Sequence, residues 1–384
     1  MELRNYRIVL GLLVVFTVFI VEKASAQKNV AAGGLVNIVN NLGHFLDKMA
    51  VNGIDTNYIS VPKDPWQVMV KTNLNQVDLK MNARWEYEDE GHGKELMNIT
   101  PRFKDDVESS IGVWAGYRGY GLGYSFVLGE SKSHNLALGA TGGSYGLNLR
   151  YHRFTTDETE VRIWGDYSSG EHIDETQKGE LPSPATVRSL VVDGHYFFNG
   201  KRFSYAAAYD QSAIQKRSAG SFCVGLMWMQ ACIDYRSREN SLFVALMNGI
   251  GRLKMKQGSL GAGYAYNWVP GSGWLVSAMV MPMVTCYQRV KAYRYNLIFT
   301  GDPNVPDEDL DLDDPENFDM EFASYDNYRG KLSLEYDARL SLLYSWGRCF
   351  VNVFGQFNNY RYRIDDSNGH LNDWYVNASF GVRF

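Results

Sequence analysis

The side chains best suited to chemistry in this 384-residue sequence are its seven histidines and its many carboxylates. A histidine beside a serine and an aspartate makes a nucleophilic triad, because the imidazole takes the hydroxyl proton while the carboxylate holds the ring. His152 and His195 have such partners nearby in the sequence. Neither sits in a G-x-S-x-G setting, so no catalytic residue is assigned. Asp309, Asp311 and Asp313 spell D-x-D-x-D, the opening of a calcium loop. The sixth position is Asp314 instead of Gly and the twelfth is Met320 instead of Glu, so the EF-hand pattern fails. The acidic stretch 301–330 then reads as a solvated loop, and no metal or cofactor is expected. Cys223, Cys232, Cys286 and Cys349 match no zinc spacing and read as small apolar residues. What remains is a set of charges of both signs: Arg150, His152, Arg162, Asp166, Asp193, His195, Glu335, Asp337 and Arg339, with Asn148 and Arg383 beside them. Their meaning depends on the elements that carry them.

The chain opens as an export signal. Arg4 and Arg7 precede an apolar run from Ile8 to Val21, and Ala24-Ser25-Ala26 offers a cleavage site. The run is too short to span a bilayer as a helix, so cleavage near Ala26 is expected. Residues 27–65 read as a periplasmic segment, with Leu35, Ile38, Val39, Leu42, Leu46 and Met49 at helical spacing over 35–50. Pro62 and Pro65 end it, and from Trp66 the period becomes two.

Alternation then recurs to the last residue. Ile111, Val113, Ala115 and Tyr117 share one face, and Leu122, Tyr124 and Phe126 follow an Arg118-Gly119 turn. Tyr145 to Tyr151, Phe203 to Tyr209, Leu260 to Trp268 and Leu332 to Tyr344 repeat the pattern. One face is almost wholly apolar, and the other is small, polar or charged. In a membrane barrel the apolar face meets lipid, and closure satisfies every backbone group. The expectation is therefore an all-β, antiparallel up-and-down transmembrane barrel over 66–384, preceded by the signal peptide and the short helical segment. Counting back from the C-terminus gives about 14 strands, with 66–82 or 235–255 uncertain. An even number is required if both termini share a side, so 12 and 14 both stand. Long loops are expected over 301–330, from Ser169 to about Thr186, and over Asp365 to Leu371.

The nine listed charges from Arg150 to Arg339 fall on the face that would line the lumen. A net charge of −5 leaves no basic footprint for nucleic acid. Mean hydropathy of −0.29 excludes a helical membrane bundle.

The last strand carries Trp374, Val376, Ala378, Phe380, Val382 and Phe384 on one face. It resembles the C-terminal signal by which Gram-negative outer-membrane barrels are recognised by their insertion machinery. Outer-membrane lipid and that machinery are the expected partners. A second resemblance rests on the run from Phe197 to Tyr209, on Gln211-Ser212 and Gln215 to Phe222, on Asp55 to Tyr58, on Gly261 to Asn267 and on Ala338-Arg339. These resemble the Bacteroidota family catalogued as domain of unknown function four-four-two-one, over roughly residues 50–384. That resemblance implies an outer-membrane barrel without an established activity, and it supplies no catalytic residues. The functional expectation is a channel or transporter for a small solute or lipid, with residues 27–65 as a cap or plug. The alternatives are a closed structural or surface-interaction barrel and, third, a lipid-modifying enzyme.

Overall fold

Period-two alternation from Trp66 onward becomes paired strand in the computed structural model. It describes residues 54–89, 93–104, 107–127, 134–166, 172–300, 317–363 and 367–384. The signal segment 1–26, the helical spacing over 35–50 and the D-x-D-x-D stretch lie outside these residues.

The strands are β1 (Ile59–Ser60), β2 (Trp66–Asp89), β3 (Gly93–Lys104), β4 (Glu108–Tyr117), β5 (Tyr120–Val127), β6 (His134–Thr141), β7 (Tyr145–Asp166) and β8 (His172–Phe197). A short helix α1 (Tyr205–Tyr209) and β9 (Ile214–Gln215) precede β10 (Ala219–Asp234). Helix α2 (Ser241–Leu246) leads to β11 (Ile250–Trp268), β12 (Trp274–Phe299), β13 (Phe318–Arg329), β14 (Leu334–Trp346), β15 (Cys349–Arg363) and β16 (Ser367–Arg383).

Fourteen strands form one antiparallel sheet, and β1 and β9 form a separate pair. The sheet closes on itself, since β16 pairs with β2 and β11 with β12. The ring β2-β4-β5-β6-β7-β8-β10-β11-β12-β14-β15-β16 has twelve strands. The other two are inserts: β3 joins β2 to β7 beyond the ends of short β4–β6, and β13 pairs with the far half of β12. Fourteen is thus the number of strands in the sheet and twelve the number in the closed ring. Trp66 N–H donates to the Phe384 carbonyl and Phe384 N–H to Trp66, which sews the two ends of the barrel sequence together.

Tight turns mark the end that bears these termini. Arg118 and Gly119 turn with positive φ of 48° and 89°, and Gly273 and Gly347 do the same at the β11–β12 and β14–β15 turns. The outward face carries Phe222, Val224, Leu226 and Trp228 on β10, and Leu340, Leu342 and Tyr344 on β14, all exposed. Near the turns lies an aromatic band: Trp66 against Tyr117, Trp274 against Tyr344, and Trp346 against Phe380. An apolar belt with an aromatic girdle is the lipid-facing surface of an outer-membrane β-barrel. No helix among the described residues is long and apolar enough to cross a membrane.

Three expectations are corrected. Phe203–Tyr209 is no strand: Tyr205–Tyr209 is helical, with Ser204 Oγ accepting from the Ala207 N–H as N-cap. Three consecutive alanines favour helix, and the alternating aromatics reflect packing instead of a pleat. Within the loop expected from Ser169 to about Thr186, residues 172–186 are strand, because β8 starts at His172, and β16 likewise starts at Ser367 inside the expected third loop. β7 and β8 run 22 and 26 residues, whereas a tilted membrane strand needs only about 9–11. The surplus pairs in water, where no apolar face is required, so alternation is lost while the ladder continues. The inward face also holds more than polar groups. Met227, Met229, Met279, Met281 and Met283 point in, with Phe103, Phe154, Tyr235 and Tyr360 from other strands.

Candidate functional site

The segment between β8 and β10 folds into the barrel instead of away from it. Ala206, Ala207 and Ala208 of α1 are buried with Phe203 and Tyr205. Such burial leaves the carbonyls at the C-terminal end of α1 without helical partners, and the wall supplies donors. Ser341 donates to the Ala208 carbonyl at 2.7 Å, Gln67 to Asp210 at 2.6 Å, and Arg383 to Gln211 at 3.0 Å. At the other end, Asn267 donates to the Ser204 carbonyl at 2.9 Å. Four strands thereby grip one five-residue helix.

Gln215 completes the seat. Its Oε1 accepts from the Ser204 N–H and from Asn267, and its Nε2 donates to the carbonyls of Arg202 and Arg217. Residues 54–60 join through β1, whose Ile59 pairs with Gln215, and through the Lys216 N–H to the Tyr58 carbonyl. Residues 54–60 and 198–218 together form a plug at the end bearing the termini. Burial raises the Asp210 carboxyl, while bonds from Ser212 and Thr141 and the charges of Lys71 and Arg383 pull it down.

Above the plug lies a buried ionic cluster. Arg339 donates to Asp337 and Asp193, each at 2.9 Å, and to Tyr205 Oη of the plug. His195 Nε2 lies 3.1 Å from Asp337, and its Nδ1 lies 3.4 Å from Asp193 without a hydrogen-bond partner. Asn148 donates to Asp193 at 2.8 Å and to Tyr205 at 3.2 Å. The Tyr205 ring stacks near His195 and Phe197. A Cβ on Gly146 would stand 2.3 Å from that ring, so only glycine admits it there.

The structure therefore gathers Asp193, His195, Asp337 and Arg339, all buried, into one cluster tied to the plug. Arg150 stands apart against Asp373 at 3.4 Å, over the Tyr375 ring. Glu335 belongs to another group, accepting from Ser259 at 2.7 Å and Thr285 at 3.1 Å. His152 is half-buried at the wall of the cavity beside the plug. Arg162 and Asp166 are not in this assembly: Arg162 pairs with Asp174 and Asp166 with His172, both exposed on the long β7–β8 hairpin. In the C-terminal strand, Phe380 and Phe384 are exposed, and Trp374 donates to Gln76 at 3.2 Å.

Among the described residues no serine bonds to His195, whose two nitrogens face the carboxylates of Asp337 and Asp193. Among the described residues no three His, Cys, Asp or Glu side chains are placed to hold a metal, and all four cysteines are free. Sequence reading missed Tyr205, Gln215, Asn267 and Ser341, because a wall residue that holds a plug looks like any other inward polar residue.

The chain belongs to a family described as Domain of unknown function (DUF4421), whose model matches residues 53–384. The segments on which the resemblance was read are those that build the plug and its seat: Asp55–Tyr58, Phe197–Phe222, Asn267 and Arg339. No curated protein matches the chain. Among solved structures, it is similar to the outer membrane protease OmpT from Escherichia coli, at 10% identity and TM-score 0.41, covering 85% of this chain and 98% of that one. It is also similar to the translocator domain of the autotransporter NalP from Neisseria meningitidis, at 11% identity and TM-score 0.28, covering 92% and 99%. The P. putida toluene transporter TodX gives 8% and 0.26, covering 84% and 91%. Scores this low carry no role across.

Proposed function

We propose that this outer-membrane barrel is a gated passage for a small solute, closed at rest by the plug of residues 54–60 and 198–218. Export with loss of residues 1–26 and insertion through the strand bearing Trp374, Phe380 and Phe384 belong to the same reading. One observation carries it: the plug is fastened to the wall by side-chain hydrogen bonds from Gln67, Asn267, Ser341, Arg339 and Arg383, while its two short strands pair only with each other. A ring of twelve strands is wide enough to leave a lumen, so something must fill it. Polar contacts between a wall and a small insert are a removable filling. Arg339 and Asn148 both donate to Tyr205 Oη of the seated plug, which favours closure without a ligand.

Planar-bilayer recording tests this. The refolded full chain is expected to be silent, and a variant with residues 204–215 replaced by a short Gly-Ser loop is expected to open. Steady openings in the unaltered chain would overturn closure. Silence in both would favour the second reading, a permanently sealed barrel acting at the cell surface. That reading has its own support, because the apolar cluster joining Met81, Phe103, Met229, Met281 and Tyr360 draws side chains from opposite walls across the lumen.

A further inference from the structure

Beside the plug the barrel encloses a cavity of about 190 Å³. At about 30 Å³ per water, that is room for roughly six waters or one small organic molecule. Its wall holds cations in unequal states of pairing. Arg339 is matched by two aspartates and Arg150 meets Asp373. Lys71 has no carboxylate within 4 Å among the described residues, and Asp210 acts on it only from farther away. Its ammonium rests over the Trp114 ring, 4.4 Å from the centroid.

Trp114 is fixed by a floor of glycines. A Cβ on Gly121 would stand 2.3 Å from its ring, on Gly123 2.7 Å and on Gly139 3.0 Å. With Lys71 on its face, the indole has one orientation. Its Nε1 is buried with no hydrogen-bond partner, and so is the Nε of Arg150. Trp114 as a whole is only 7% exposed. Trp114 and Arg150 line the same cavity as the unmatched ammonium. An ammonium without a counter-charge is costly in a low-dielectric interior and calls for a negative charge.

We propose that this cavity binds a small hydroxylated carboxylate of the sugar-acid class, with its carboxylate against Lys71. One unmatched cation suits a monoanion better than a phosphate dianion. On the remaining wall the amide nitrogens of Asn148, Asn352 and Asn377 donate to wall partners, which leaves their amide oxygens to accept from several hydroxyl groups of a ligand. This assignment goes beyond the gating reading, since the cavity can be occupied whether or not the plug moves.

Calorimetry on the refolded full chain in detergent tests it. Glucuronate, glucose and inorganic phosphate serve as probes, each added both during and after refolding. Glucuronate is expected to bind, and glucose at least about tenfold more weakly, because the charge-assisted bond is lost. Lys71→Gln should weaken glucuronate by about tenfold or more, while Lys71→Arg retains it. If Lys71→Gln does not fold, the methyl ester of glucuronate decides on the unaltered chain, since it removes only the negative charge and should bind at least about tenfold more weakly. Phosphate binding in place of glucuronate would overturn the carboxylate assignment. Absence of binding under both conditions, or equal binding by the variants, would overturn the site itself. None of these results depends on conductance.

Discussion

The two halves of the barrel interior solve the same problem by opposite means. Toward the end bearing the termini, the lumen is filled by the plug and by Asp193, His195, Asp337 and Arg339, joined through directional bonds. Toward the other end Phe103, Phe154, Met229, Tyr235, Met255 and Tyr360 belong to an apolar cluster held by packing. In the polar half each group is buried at a cost that its partners offset, so the parts are interdependent. In the apolar half each side chain contributes by its own area and fit, and neighbours adjust to a change. A polar filling can release as a unit. An apolar one yields piecemeal.

The sharpest challenge to that contrast is Arg339→Met. It leaves Asp193 and Asp337 buried side by side without their cation, and a loss of about 3–5 kcal/mol is expected. Denaturant unfolding of the refolded barrel in micelles measures it. Adding Asp193→Asn and Asp337→Asn should restore much of the loss, because no uncompensated charge then remains. A single variant that costs under about 1 kcal/mol would show that the cluster is no cooperative unit. In the apolar half, Met255→Ala is expected to cost about 2–4 kcal/mol through the cavity it leaves. Met255→Leu should cost under about 1.5 kcal/mol, because volume is kept. Equal losses for the two would mean the apolar half is as exacting as the polar one. A milder loss than that of Arg339→Met is expected at the boundary. Tyr205→Phe removes the acceptor that Arg339 and Asn148 share, at about 1–3 kcal/mol. Because it loosens the plug without disturbing the wall, it should also raise the frequency of brief openings in bilayer recordings. A Tyr205→Phe barrel as silent as the unaltered one would weaken the latch.

Much of the architecture was legible because lipid imposes a local rule. Every second residue of a membrane strand must be apolar, and Ile111–Tyr117 or Leu334–Tyr344 shows this without knowledge of any neighbour. The same rule misled at Phe203–Tyr209, where aromatics two apart pack inside the barrel on a helix. It also went silent at 172–186, where strands continue into water and no alternation is needed. Inward charge was legible too, but only as a list. That Arg162 pairs with Asp174 in solvent while Arg339 reaches Asp193 across 146 positions depends on register and closure.

Amino-acid order alone therefore determined a closed antiparallel barrel with a lipid-facing belt, since period and turn chemistry act over a few residues. Only tertiary structure decided what fills it. Which four wall residues grip α1, which of three cavity cations lacks a counter-charge, and where glycines let Trp114 lie flat are relations between strands distant in sequence. They exist only once β16 has returned to β2 and the interior has become a single enclosed volume.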